Sequence, residues 1–227
     1  MEKIIFLHGA LGSAENFNNL IELLQDDFEI HTLDFEGHGH NQVTDHSLTI
    51  PRFADQVLAF LDENNIAKIS IFGYSMGGYV GLHLAKHHPE RVEKLVTLAT
   101  KLNWTVEGSQ KETVFLNPEI IKEKVPKYAA ALEKLHGQNW AKLMNKTVEM
   151  MLELGKSPVI TKDDFSLITT PILMAVGDKD MMVSIEETLA AYKQLPNGQF
   201  LVLPNTQHPI ERVNQDELAH QLRTYFS

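Results

Sequence analysis

Lys68-Ile69-Ser70-Ile71-Phe72-Gly73-Tyr74-Ser75-Met76-Gly77-Gly78, continuing into Tyr79-Val80-Gly81-Leu82-His83-Leu84-Ala85-Lys86, is the stretch on which the reading of the chain turns. Its first five residues are a short apolar run bounded by polar ones, the pattern of a buried strand. From Tyr79 the spacing predicts a helix ending before Pro89. Between strand and helix lies a G-x-S-x-G sequence, so Ser75 occupies a sharp, strained bend. Glycines two residues to either side are required there, because a side chain would strike the neighbouring strand or helix. The bend lifts the Ser75 hydroxyl above the sheet and aims the helix N-terminus at whatever the serine attacks.

The rest of the chain supports an α/β reading. Strand-like runs at 3–8, 29–34, 68–72, 94–99, 171–177 and 199–203 alternate with helical patterns, the signature of a mostly parallel sheet covered on both faces. Phe17, Leu20, Ile21 and Leu24 recur at helical spacing, as do Phe53, Val57, Phe60 and Leu61, and later Leu218, Leu222 and Phe226. One stretch breaks the alternation. From Lys101 to about Lys162 the pattern is helical and rich in lysine, glutamate and methionine, and Asn117-Pro118-Glu119 reads as a helix start with asparagine as N-cap. The expected organisation is therefore a core of residues 1–100 and 163–227, with 101–162 inserted after the fourth strand as a helical cover over the sheet's C-terminal edge.

Composition narrows the function. The 227 residues suffice for one domain with a substantial core, and 43% hydrophobic with 22% charged residues is ordinary for a globular protein. A net charge of −10 argues against nucleic acid or an anionic membrane as partner. The chain has no cysteine, which excludes disulfides, thiolate metal sites and a cysteine nucleophile. No apolar run approaches the roughly 20 residues needed to span a bilayer, and Met1-Glu2-Lys3 runs directly into a strand-length segment, so a cytoplasmic location is expected.

A serine hydroxyl needs a base to take its proton as it attacks, and histidine, oriented by an acid, suits that task at neutral pH. Of eleven histidines, His208 stands on the loop between the last strand and the last helix, at the same sheet edge as Ser75. The acid should share that edge, where Gly177-Asp178-Lys179-Asp180 leaves the fifth strand with two aspartates; Thr97-Leu98-Ala99-Thr100, after the fourth, has none. The oxyanion needs two donors. One is the backbone N–H of Met76, and the other is expected from the His8-Gly9-Ala10-Leu11-Gly12-Ser13 loop, at Ala10. His8 is read as orienting that loop rather than as a base.

His8-Gly9, Asp34-Phe35-Glu36-Gly37-His38-Gly39, Gly73-x-Ser75-x-Gly77-Gly78, Gly177-x-x-Asp180 and His208 resemble, in order and spacing, the α/β-hydrolase superfamily. The similarity spans nearly the whole chain except the helical insertion, which matches that superfamily's variable lid. It implies Ser75 as nucleophile, His208 as base and Asp180, rather than Asp178, as acid, with His38 and His40 in a structural turn. Such proteins usually begin with an antiparallel hairpin that this chain lacks, so about six parallel strands are expected. Gln207 stands where relatives usually carry glycine.

Expectations about substrate rest on the lid. Trp104, Phe115, Trp140, Met144, Met150 and Met151, with Leu11, Tyr74 and Met181 from the core loops, are candidates for an apolar acyl or aryl site. The plainer reading of each lid residue is that it packs the lid onto the sheet. No cationic cluster stands near the reactive loops to clamp a carboxylate or phosphate. A small, uncharged apolar ester, cleaved without metal or organic cofactor, is the leading expectation. The resemblance also admits a carbon–carbon bond hydrolase or a menaquinone-pathway-type lyase on the same triad. A non-enzymatic alternative is a slow-turnover ligand sensor.

Overall fold

A computed structural model describes residues 1–227. Six strands form one sheet: β1 (Glu2–Leu7), β2 (Phe28–Leu33), β3 (Ile69–Tyr74), β4 (Val92–Leu98), β5 (Ile172–Gly177) and β6 (Gly198–Leu203). Their spatial order is β2-β1-β3-β4-β5-β6 and every pairing is parallel. The six strands expected from sequence are all present, with boundaries shifted by at most two residues.

Period-two alternation distributes the strand side chains between two cores. Ile5, Leu7, Ile69 and Ile71 face one side, with α2 (Ile50–Glu63), α3 (Met76–His87) and α8 (Ile185–Tyr192) packed there. Ile4, Phe6 and Phe72 face the other, beneath α1 (Asn18–Leu24) and α9 (Gln215–Phe226). On that second face Phe6 packs edge-on against Phe17 and Phe72, with ring centroids 5.4 and 5.1 Å apart.

Between β4 and β5 the chain leaves the sheet and forms α4 (Val106–Thr113), α5 (Pro118–Lys124), α6 (Pro126–His136) and α7 (Trp140–Lys156). The Asn117 side chain caps α5 by accepting from the amides of Glu119 and Ile120. The block has no separate core. Ile121, Leu132, Leu143, Met144 and Leu154 belong to the same buried cluster as α2, α3 and β3. No helix is long and apolar enough to cross a membrane.

Chain order creates the site. β1 leads outward to β2, whereas β3, its other neighbour, leads the opposite way to β4. The connections diverge after β1 and β3 and leave a crevice at their C-terminal ends. Four of the five non-glycine residues with positive φ follow strand ends at this edge: Leu11, Ser75, Ala99 and Asn205. Local strain is concentrated where the loops converge.

Gly77 sits directly against β1, where a β-carbon would overlap the Leu7 carbonyl oxygen at the strand's end. Gly77→Ala is expected to part α3 from β1 and to lower unfolding free energy by about 2–3 kcal/mol. The urea midpoint reads this directly, and an unchanged midpoint would remove the steric account of the motif.

Candidate active site

Ser75 sits at φ 51°, ψ −115°, a conformation that L-residues avoid. Two backbone contacts hold it: its N–H donates to Leu98 O at 2.8 Å, and its carbonyl accepts from Thr100 Oγ1 at 3.1 Å. Both partners stand at the end of β4, so the neighbouring strand fixes the bend. Ser75 is the N-cap of α3: its carbonyl also accepts from the Gly78 amide at 3.1 Å, while the Met76 and Gly77 amides of the first turn have no partner within the protein.

His208 Nε2 lies 3.3 Å from Ser75 Oγ, and His208 Nδ1 lies 2.8 Å from Asp180 Oδ2. An ionised carboxylate accepts only, so Nδ1 carries the proton and Nε2 is free to accept the serine proton. The Asp180 side chain is fully buried, that of His208 14% exposed. Burial opposes the Asp180 charge. The His208 hydrogen bond, the nearby imidazole and the amides of Val183 and Met182 outweigh it and hold the carboxyl below its usual range. Those amides donate to Oδ1 at 2.9 and 2.8 Å, leaving Oδ2 for the histidine.

Asp178 is placed differently. It is exposed, and its Oδ1 accepts from the Thr206 amide at 3.0 Å. Lys179 N–H donates to Thr206 O, also at 3.0 Å. Asp178 thus ties the loop after β5 to the loop carrying His208 but does not touch the imidazole. Gln207 is exposed and accepts from Arg212; the backbone on either side of Gln207, at Thr206 and His208, keeps the attachments described here. Tyr74 Oη donates to the His208 carbonyl at 3.0 Å and secures the loop from the other side. Burial pushes the Tyr74 phenol pKa up, so it remains a donor.

Neither the Ala10 nor the Met76 amide donates a hydrogen bond within the protein, and both residues line the same cavity as Ser75 and His208. The cavity encloses about 680 Å³ and is predominantly apolar, a size suited to a small organic ligand. Leu11, Tyr74 and Trp104 line it as the sequence suggested, as do Met150 and Met151.

Four pocket candidates are displaced. Phe115 is 77% exposed in the turn after α4, because the next residue, Leu116, takes the inward position. Met181 is 94% exposed: the turn that directs the Met182 and Val183 amides at Asp180 throws it outward. Trp140 and Met144 are buried but pack into the core behind the wall, with Lys122 Nζ 5.5 Å from the Trp140 ring centre. The walls are two helical stripes, of which the sequence reading anticipated only Met150 and Met151. Tyr128, Ala131, Leu132 and Leu135 come from α6, and Thr147, Met150, Met151 and Leu154 from α7. Each is spaced i, i+3, i+4, i+7, a signal already present in the sequence. The cavity also holds one ion pair, Lys101 to Glu112 at 2.6 Å, with Lys101 Nζ 5.7 Å from the Trp104 ring centre.

The other histidines are structural or remote. His8 Nδ1 donates to Gly9 O at 2.8 Å while Nε2 accepts from the Phe35 amide at 3.1 Å. His38 is fully buried and donates from Nδ1 to Glu36 O, and His40 is exposed.

A half-buried, strained serine in line with an imidazole and a carboxylate, above a parallel sheet and beside two free amides, defines a nucleophile-elbow protein of the α/β class. The chain belongs to the alpha/beta hydrolase fold family, whose model matches residues 3–146. It is 23% identical to the pimeloyl-[acyl-carrier protein] methyl ester esterase of Vibrio vulnificus, over 98% of this chain and 93% of that one. Among solved structures, a thermophilic esterase from Thermogutta terrifontis superposes with a TM-score of 0.81 at 20% identity, covering 99% of this chain and 89% of that one. NosK from Streptomyces actuosus gives 0.83 at 18%, covering 99% and 97%.

Burial holds His8 in its neutral form, with a pKa lowered to about 4, and lowers His38 as well. A histidine that is neutral when folded and titrates near 6.5 when unfolded stabilises fully above that pH; the contribution is lost as pH falls from there towards 4. Stability should fall by on the order of 2 kcal/mol between pH 7 and 5 from His8 alone. Urea midpoints at the two pH values measure it. His8→Gln should flatten the difference, and an equally steep loss in that variant would clear His8 of the effect.

Proposed function

We propose that this protein is a serine hydrolase that cleaves a small, uncharged apolar carboxylic ester through an acyl-enzyme. The observation that carries the reading is the chain of hydrogen bonds from Ser75 through His208 to Asp180, opening into an apolar cavity of about 680 Å³. The ester esterase activity named for the Vibrio vulnificus relative supports it.

In this reading Ser75 Oγ attacks the ester carbonyl as His208 Nε2 accepts its proton. Asp180 stabilises the imidazolium and keeps its ring oriented. The amides of Ala10 and Met76 receive the oxyanion, aided by the positive end of α3. His208 then protonates the departing alcohol, leaving the acyl group on Ser75. Water, activated by the same imidazole, hydrolyses that intermediate and restores the serine.

Residues 101–162 act as the lid of a core formed by 1–100 and 163–227, with α6 and α7 supplying the cavity's apolar stripes. Those stripes suit an aliphatic or aryl acyl group. The single cation on the wall, Lys101, is already neutralised by Glu112, which favours an uncharged substrate. A net charge of −10 fits a small-molecule substrate rather than a polyanion.

Ser75→Ala should lower turnover of p-nitrophenyl butyrate by about 10⁴-fold or more while leaving the protein folded; substantial residual turnover would displace Ser75 as nucleophile. Asp180→Asn should cost about 10²- to 10⁴-fold in kcat, since the amide can no longer accept from His208 without turning. Asp178→Asn should stay within about threefold. The opposite ranking would transfer the acid role to Asp178. A panel of esters, carbon–carbon hydrolase substrates and lactones assayed on the same preparation tests the reaction class, and a preference outside esters would overturn it.

A further inference from the structure

His136 ends α6, far in sequence from any reactive residue, yet it is 6% exposed and both ring nitrogens are engaged with core loops. Its Nδ1 accepts from the Gly39 amide at 3.0 Å, and its Nε2 donates to the Leu11 carbonyl at 2.9 Å. A nitrogen that accepts from an amide carries no proton, so the tautomer is fixed: neutral, protonated on Nε2. Burial favours the same neutral form, lowering the pKa against the opposing pull of its two backbone partners and Asp34.

The Leu11 bond has a consequence for Ala10. The Gly9 carbonyl is tied to His8 Nδ1 and to the Gly12 amide, at 2.8 and 3.1 Å. In a trans peptide the C=O and the following N–H point in opposite directions. Fixing the Gly9 carbonyl therefore directs the Ala10 N–H the other way. Leu11 follows at φ 58°, a conformation a leucine holds only under external constraint. The Leu11 carbonyl, which His136 holds, belongs to the same peptide as the Gly12 N–H, and that N–H is the one that donates to the Gly9 carbonyl. Two histidines thus pin successive parts of one short turn, His8 from the sheet and His136 from the helical block.

We infer that His136 is a positioning residue: through the Leu11 carbonyl it keeps the Ala10 amide aimed at the developing oxyanion, and so makes the oxyanion site depend on the docking of α6. The inference rests on the esterase reading. It gives α6 two duties, since the helix that supplies Tyr128, Leu132 and Leu135 to the cavity wall also secures the donor that the reaction uses. The buried groups facing His136 are His8 and His38, both neutral. Asp34 and His40 lie near enough to act on its charge, in opposite directions.

Two substitutions separate the bonds. In His136→Gln the side-chain nitrogen reaches the place of Nε2 and can still donate to Leu11, losing Gly39. In His136→Asn the shorter amide reaches the place of Nδ1 and can still accept from Gly39, losing Leu11. Each is assayed below its melting temperature, with kcat and KM for p-nitrophenyl butyrate and hydrogen exchange of the 9–13 segment. His136→Asn should lower kcat about 10- to 100-fold with KM within about threefold, because an oxyanion donor acts mainly in the transition state. It should also speed exchange in 9–13. His136→Gln should keep kcat within about threefold and exchange near that of the unaltered protein. Unchanged kcat in a folded His136→Asn, or an equal loss in His136→Gln, would overturn the inference, and if one variant fails to fold the other decides. If the unaltered protein shows no Ser75-dependent turnover, the esterase reading fails; the exchange comparison still judges the latch.

Discussion

The bend at Ser75 is the constraint on which the rest of the site depends. A serine held at φ 51°, ψ −115° is unfavourable by roughly 1–3 kcal/mol, and the Ser75 side chain makes no capping bond to α3 that would compensate. The surrounding sheet does. β4 receives the Ser75 amide and returns a hydroxyl to its carbonyl, while the absence of side chains at Gly73 and Gly77 lets β3, α3 and β1 close around it. A β-carbon at Gly73 would lie 2.5 Å from Gly78 Cα, so the two limbs of the turn touch. The strain is thus a consequence of packing three elements against one residue, and it is what sets the hydroxyl clear of the sheet.

The remaining groups reach Ser75 because the loops are tied to one another as well as to their strands. Asp178 binds the loop of His208, Tyr74 binds the His208 carbonyl, and two amides hold one oxygen of Asp180 so that the other faces the imidazole. Removing Asp178 from contact with the histidine does not make it idle. The neighbouring aspartates divide the work, one orienting a loop and one orienting a ring. Such a division explains how a short G-D-x-D turn accommodates two carboxylates that sequence alone leaves equivalent.

Much of this was legible before any coordinates, for identifiable reasons. Strand boundaries followed from apolar runs, because a parallel sheet covered on both faces demands them. The position of Ser75 followed from glycine spacing and that of His208 from where loops must emerge in a parallel sheet; the same reasoning brought forward both Asp178 and Asp180, and only the resemblance to the hydrolase superfamily singled out Asp180. The cavity wall was less legible. Phe115 and Met181 are large and apolar, but their orientation is set by turns in which the adjacent residue faces inward. Trp140 and Met144 lie one layer behind the wall, a depth that residue type does not encode. The stripes at 128/131/132/135 and 147/150/151/154 were readable as helix faces, but only Met150 and Met151 were brought forward as facing a cavity rather than a sheet. His136 was invisible for a related reason: its partners are backbone atoms at Leu11 and Gly39, which leave no trace in side-chain patterns.

The polar economy of the cavity limits what can occupy it. An ion pair set among apolar side chains avoids the cost of an isolated buried charge only while both members remain together. The Lys101 ammonium, held by Glu112 and lying beside the Trp104 ring, therefore offers little net charge to a ligand. Glu211, exposed beside His208, Pro209 and Ile210, has a hydrogen bond from Asn16 but no cation within ion-pair distance. A ligand carboxylate near that end would meet an uncompensated negative charge, while an alkyl or aryl ester would meet apolar surface and two neutral phenols, Tyr74 and Tyr128. Under the proposed function, discrimination against anions would rest on Glu211 and acceptance of apolar acyl groups on the faces of α6 and α7, so the two preferences would be set by different elements and could change independently.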